Sequence, residues 1–313
     1  MRRTPRILAA ALAVAGLTVA ACGSDADDGA GAPGAAATSA AASYPVTVGT
    51  VTLHKRPEKI VSLSPTATEM LYAIGAGSQV TAVDDQSNFP AEAPKTDLSG
   101  FQPNAEAIAG ESPDLVVLSN DTNKVVDQLN RLKIPVYLAG AGQTLDDSYR
   151  QIEDLGALTG HADEAADLST RMKDEIDKLV EDVPQRAEKL TYYYELGPEL
   201  YSLTSRTFVG SLFTMVGMEN VADAADADGS KGGYPQLAAE SLVSADPDMI
   251  FLADTKCCQQ SADTVKARAG WAGITAVKSN QIVPLDDDIA SRWGPRVVDL
   301  VRQITDAVAK VPA

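Results

Sequence analysis

From residue 59 onward the apolar residues of this chain fall into two alternating patterns. Compact apolar runs, "KIVSLS" (59–64), "VTAVDD" (80–85), "PDLVVLS" (113–119) and "IPVYLAG" (134–140), predict buried strands. Between them lie "PTATEMLYAIGAG" (65–77), "AEAIAGE" (105–111) and "TNKVVDQLNRLK" (122–133), where apolar residues recur at helical spacing. In the first helix Met70, Leu71 and Ile74 make the apolar stripe, Thr66 or Thr68 is the expected cap, and glycine ends it. Strands that are apolar throughout, rather than at alternate residues, belong to a parallel sheet covered on both faces. Ahead of them, "YPVTVGTVTL" (44–53) alternates and predicts a short hairpin.

The alternation then pauses. "DDSYRQIEDLGALTG" (146–160) leads into "ADEAADLSTRMKDEIDKLVEDV" (162–183), a helical tract without a strand. Leu168, Met172, Ile176, Leu179 and Val183 share one face of it, and Pro184 stops it. After the pause the strand–helix alternation restarts. "KLTYYYEL" (189–196), "PDMIFLA" (247–253) and "QIVPLD" (281–286) predict strands. "FVGSLFTMVGM" (208–218), "AAESLVSA" (238–245) and "PRVVDLVRQITDAVAKV" (295–311) predict helices, the last with Val298, Val301, Ile304 and Val308 on one side.

One phrase occurs twice. "NAEAIAGESPDLVVL" from Asn104 and "AAESLVSADPDMIFL" from Ala238 share an acidic residue, a small and apolar run, Pro-Asp and four apolar residues. Glu106 and Glu240 each precede the proline by seven positions. The repeat, with one long helix between its copies, predicts two similar α/β lobes, each with a mainly parallel sheet flanked by helices. The expected lobes are 46–160 and 185–313, joined by a connecting helix over 161–184, with a ligand cleft between them.

The start of the chain reads differently. Arg2, Arg3 and Arg6 precede the apolar run "ILAAALAVAGLTVA", which is too short for an ordinary membrane span and suits a signal peptide over 1–21. "VAAC" resembles the lipobox of bacterial lipoproteins, which implies cleavage before Cys22 and lipidation of its thiol. Residues 22–45 are rich in Gly, Ala and Ser and predict a flexible tether. A protein so anchored lies at the cell membrane, on its extracytoplasmic side.

The net charge is −17, and about −20 without the first 21 residues, which argues against nucleic acid as a partner. The chain has only two histidines, His54 and His161, too few for a usual transition-metal site, so no metal and no cofactor are expected. Walker, G-x-S-x-G and H-E-x-x-H motifs are absent, so an enzyme is not expected either. A cell-envelope hydrolase or a structural lipoprotein is the alternative from another class. With Cys22 lipidated, the adjacent Cys257 and Cys258 remain, open between two free thiols and a strained vicinal disulfide.

Taken in order, several stretches resemble the binding proteins for ferric siderophores, haem and cobalamin, the substrate-capturing lipoproteins of ABC importers. They are "RPEKIVSLSPTATEMLYAIGAGSQVTAV" (56–83), "NFPAEA" (88–93), both copies of the repeated phrase and "SRWGPRVVDL" (291–300). The resemblance covers roughly residues 46–310. It implies a monomer with two lobes on a rigid backbone helix, which delivers an iron chelate, cobalamin or haem to permease subunits; a ferric siderophore is the expected ligand. It also implies that Glu106 and Glu240 dock into permease arginines, a charge-assisted contact that fixes register. Glu69, a rival acid, reads as structural. By the same resemblance Gln86, Phe101, Tyr201, Tyr234, Asp288 and Arg292 align with pocket positions, and Trp293 offers a flat face beside them. Arg296 reads as a solvated residue at the start of the last helix. Part of the family's tryptophans are replaced here, a departure from a cobalamin site.

Overall fold

The central, mainly apolar runs, over 60–63, 115–118, 192–195 and 249–252, form strands buried on both faces, while Thr81 and Leu138 on the outer strands are exposed. The structure, a computed structural model, describes residues 43–312. The expected signal peptide, the lipidation at Cys22 and most of the tether lie outside the described residues.

An antiparallel hairpin, β1 (Val46–Val48) and β2 (Val51–Leu53), comes first. The first lobe follows with β3 (Ile60–Leu63), α1 (Pro65–Ala73), β4 (Val80–Val83), α2 (Ala105–Gly110), β5 (Leu115–Leu118), α3 (Val125–Arg131) and β6 (Val136–Leu138). Its four strands are parallel in the order β4-β3-β5-β6. Next come α4 (Leu145–Thr159) and α5 (Ala162–Glu181). The second lobe contains β7 (Thr191–Glu195), α6 (Phe208–Met215), β8 (Glu219–Asn220), α7 (Ala239–Ala245) and β9 (Met249–Leu252). It continues with α8 (Ala262–Lys266), α9 (Thr275–Lys278), β10 (Ile282–Pro284), α10 (Asp287–Ala290) and α11 (Val297–Ala309). Its four strands are also parallel, ordered β10-β9-β7-β8. Read from the other edge this is β8-β7-β9-β10, so the second sheet repeats the strand order of the first.

The repeated phrase supplies the helix before the third strand, and that strand, in each sheet. Its Pro-Asp aspartates tie the third strand to the first. Asp114 accepts the backbone N–H groups of Glu58 (3.0 Å) and Lys59 (3.2 Å), just before β3. Asp248 accepts the N–H (2.8 Å) and hydroxyl (2.9 Å) of Thr191, where β7 begins. These carboxylates occupy backbone donors that the ladders leave free at the strand ends.

The middle tract holds two helices, α4 and then α5, the second of them over the expected connecting segment. Gly160, with φ 78°, ends α4 in the left-handed region that glycine adopts without strain. Helix α5 then packs along α4, α4 packs on α1 of the first lobe, and α5 packs on α11 of the second. Leu168, Met172 and Ile176 are buried as expected, and so are Val298, Val301, Ile304 and Val308. Helix α1 is capped by Ser64, which accepts from Ala67 N–H, so neither Thr66 nor Thr68 is its cap. Both threonines are buried; Thr68 bonds the Ser62 and Ser87 hydroxyls instead.

Candidate functional site

In open parallel sheets ligands collect outside the carboxyl ends of the strands. Here the loops after β6, β7, β9 and β10 converge on one cavity of about 550 Å³. Ala141–Gln143, after β6, are the first lobe's share of the wall. The second lobe gives Arg206 and Phe208 around the start of α6, Gly233 and Tyr234, Ala253 after β9, and Ala290–Trp293 at the end of α10.

The wall is built by short-range contacts. Thr207 caps α6 by accepting from Gly210 N–H (3.1 Å) and so fixes Phe208 at the helix start. Gly233 stands at φ 90° with its Cα against Thr207; an added Cβ would come within 2.7 Å of the Thr207 methyl. That close approach brings Tyr234 to the cavity with 53% of its surface exposed. Trp293 is held from the other side. Its indole N–H donates to Gln151 (3.0 Å) and its carbonyl accepts from Ser148, both on α4. The ring is thereby fixed in orientation, with its polar atom already satisfied.

The two arginines in the wall are both neutralised. Arg292 is buried and donates to Glu69 (2.7 Å), to Asp288 (3.1 Å) and to the Gln86 carbonyl (3.1 Å). Arg206 bonds the Asp226 carbonyl and carboxylate. Two backbone N–H groups, of Lys231 and Gly233, also donate to the Asp226 carboxylate and hold it below the ordinary aspartate range.

Glu69 is structural, as read from the sequence, and its partners come from the far end of the chain. Its carboxylate lies at 2% exposure between Arg292 and Arg296; Arg296 reaches it at 2.9 and 2.5 Å. Arg296 also lies over the Phe89 ring, 4.2 Å from its centroid. The expectation of a solvated Arg296 is therefore overturned: a buried carboxylate needs its charge matched, and α1 supplies one at the seam. Asn88 donates to Asp288 (3.1 Å), another bond across the lobes.

Of the residues singled out in the sequence, Tyr234, Arg292 and Trp293 line the cavity. Gln86 and Asp288 stand one contact behind, on Arg292. Phe101 and Tyr201 are exposed, 72% and 47%, and are not among its lining residues. Arg206 and Phe208 line it without having been singled out; the signal was the cap-like "SRTF" after a predicted strand, the start of a helix at a carboxyl end. Glu106 and Glu240 are both exposed, each the second residue of its short helix, α2 and α7. Cys257 and Cys258 are free thiols with their sulfurs 2.6 Å apart. Among the described residues no group of three or more His, Cys, Asp or Glu is placed to hold a metal ion, and no helix is long and apolar enough to cross a membrane.

The family described as "Periplasmic binding protein" matches residues 60–289. An uncharacterized ABC transporter substrate-binding lipoprotein of Bacillus subtilis, YvrC, is 29% identical over 96% of this chain and 95% of its own length. A cobalamin-binding protein of Halobacterium salinarum is 29% identical over 85% of this chain and 75% of its own. Among solved structures, a possible iron-binding (periplasmic solute-binding) protein from Staphylococcus epidermidis superposes with a TM-score of 0.70 at 26% identity, covering 82% of this chain and 100% of that one.

Proposed function

We propose, from the premise that this chain belongs to the periplasmic binding protein family and is the substrate-binding protein of an ABC transporter, that its cleft captures a nearly neutral metal chelate. A corrinoid such as cobalamin comes first and a ferric hydroxamate siderophore second. The observation that carries this choice is the pairing of both wall arginines, Arg206 with Asp226 and Arg292 with Glu69 and Asp288. A ferric tris-catecholate brings several negative charges and would need unpaired cations to replace its water. The wall offers instead the flat faces of Tyr234 and Trp293 and the apolar edge of Phe208, surfaces that grip a macrocycle by area. The cobalamin-binding relative supports the first choice and the possible iron-binding neighbour the second. Haem comes third: among the described residues no histidine lines the cavity, and the Tyr234 phenol is the one side chain in the wall of a type that ligates haem iron.

In this reading lobes 46–160 and 185–313, joined over 161–184, present the loaded cleft to a permease. Glu106 and Glu240 meet its arginines. Cys22 carries the lipid that keeps the protein at the outer side of the cell membrane, a reading supported by the lipoprotein relative.

Trp293 is in the wall while Trp271 is buried, so intrinsic fluorescence reports on the cleft. Titration with cyanocobalamin, a ferric hydroxamate and a ferric tris-catecholate is expected to quench with the first or second. Tyr234→Ala should weaken that binding about tenfold, an interface aromatic's usual share. Binding of the tris-catecholate alone would refute the neutral-chelate reading.

A further inference from the structure

The loop after β9 carries a pair of thiols that the cleft does not use. Ala253 is in the cavity wall; Cys257 and Cys258 follow a few residues later, Cys257 exposed and Cys258 partly so. The backbone around them is fixed from two sides. The Asp287 carboxylate accepts N–H groups from Thr255 (2.9 Å), Lys256 (3.0 Å) and Cys257 (3.0 Å). The Asp254 carbonyl accepts those of Cys258 (3.2 Å) and Gln260 (3.3 Å). Both side chains turn the same way, and their sulfurs are in contact.

We propose that Cys257 and Cys258 form a redox modification site, a vicinal dithiol that closes reversibly to a disulfide and stiffens the loop at the cleft rim. The oxidant is a low-molecular-weight disulfide. One cysteine thiolate attacks it and expels a thiolate; the second cysteine attacks the mixed disulfide and expels the other. One S–S bond forms and one breaks, the two cysteine protons end on the released thiols, and the oxidant takes up the electron pair. The inference rests on the extracytoplasmic reading above only for its setting, where disulfides persist.

Two opposing effects decide whether such a ring is stable. Adjacent Cα atoms are about 3.8 Å apart, closer than disulfides prefer, so the ring is strained and reducible. Against this, the fixed backbone already holds the two sulfurs in contact, so closing the ring costs little further ordering of the loop. Lys256, beside the pair, is engaged by Asp286 (2.9 Å) and Asp288 (2.8 Å), so closure acts on a loop whose contacts run on through Asp288 to Arg292 in the wall.

Intact mass and thiol alkylation of the purified protein, its Cys22 lipidated or substituted (Cys22→Ser) so that Cys257 and Cys258 are the only thiols, test this before and after excess oxidised glutathione. The expected result is a mass lower by two hydrogens, no alkylatable thiol, recovery of both with dithiothreitol, and slower amide hydrogen exchange over 254–260 in the oxidised form. Cys257→Ser and Cys258→Ser each should instead gain one glutathione, which establishes that the oxidant reaches the loop. Wild type that gains glutathione, or keeps two alkylatable thiols, would overturn the proposal. Closure without a change in exchange would overturn the stiffening. None of these readouts involves a chelate, so they are independent of what the cleft binds.

Discussion

Asp254 is fully buried beyond the end of β9, and neither of its carboxylate oxygens has a hydrogen-bond partner among the described residues. Nearby, the buried Glu195 carboxylate receives Arg268 in a two-pronged pair (2.6 and 2.5 Å), and Arg268 lies 4.6 Å over the Trp271 ring. Arg268 thus serves Glu195 while Asp254 is left with its desolvation. That burial, reinforced by the Glu195 charge, raises Asp254 from 3.8 to about 7. A carboxyl whose folded value lies above its unfolded one binds more protons when folded. Its contribution to stability is complete below about pH 4 and is lost as the pH rises through about 7. Asp254→Asn removes this dependence. Urea unfolding of the two proteins across that range should show the wild type losing stability relative to the variant, by on the order of 4 kcal/mol, with no further change above pH 8. A difference that stays constant with pH would mean that Asp254 is ionised throughout.

At the scale of elements, the repeated phrase explains both the fold and the proposed docking. Each copy places a glutamate at the exposed start of a short helix, where the helix dipole also favours it. Exchanging both for arginine, Glu106→Arg with Glu240→Arg, costs little stability at such positions. It should abolish ligand uptake by cells while leaving the affinity of the purified protein unchanged; a fall in affinity would remove both residues from the docking role. Strands β5 and β9 were legible as four contiguous apolar residues, all buried, and β3 as the same run interrupted only by the buried Ser62. Strand β8 was not: Glu219–Asn220 is a two-residue edge strand of polar residues with no apolar signal. Helices α8, α9 and α10 were missed because five or four residues hold no full period of an amphipathic pattern. The break at Gly160 was readable as a glycine after a helical run; the continuing helical spacing in the next segment concealed that the chain doubles back there.

For the whole molecule, the seam between the lobes matters most, and it was the least legible part. The clasp of Glu69 with Arg292 and Arg296 joins residues more than 220 positions apart. No local pattern announces such a contact, and only its local half, a buried-looking acid on α1, could be read. The clasp also alters the meaning of Arg292. Its guanidinium serves the seam first, so the cavity presents little free positive charge even though an arginine lines it. Tyr234 was legible as an aromatic between glycine and proline, and Trp293 as a flat face beside Arg292; Arg206 was carried only by the cap-like "SRTF", a signal of a helix start that does not by itself point to a cleft. A closed seam, paired cations and flat walls support the proposed reading of a bulky, nearly neutral chelate as the ligand. The most direct test is a crystal structure of the protein with the chelate that quenches Trp293 at the lowest concentration. The account predicts the ligand in the cavity, flat against Tyr234 and Trp293 and touching both lobes, with Glu69 still joined to Arg292 and Arg296. A ligand seated on one lobe alone, or one that has drawn Arg292 away from Glu69, would contradict it.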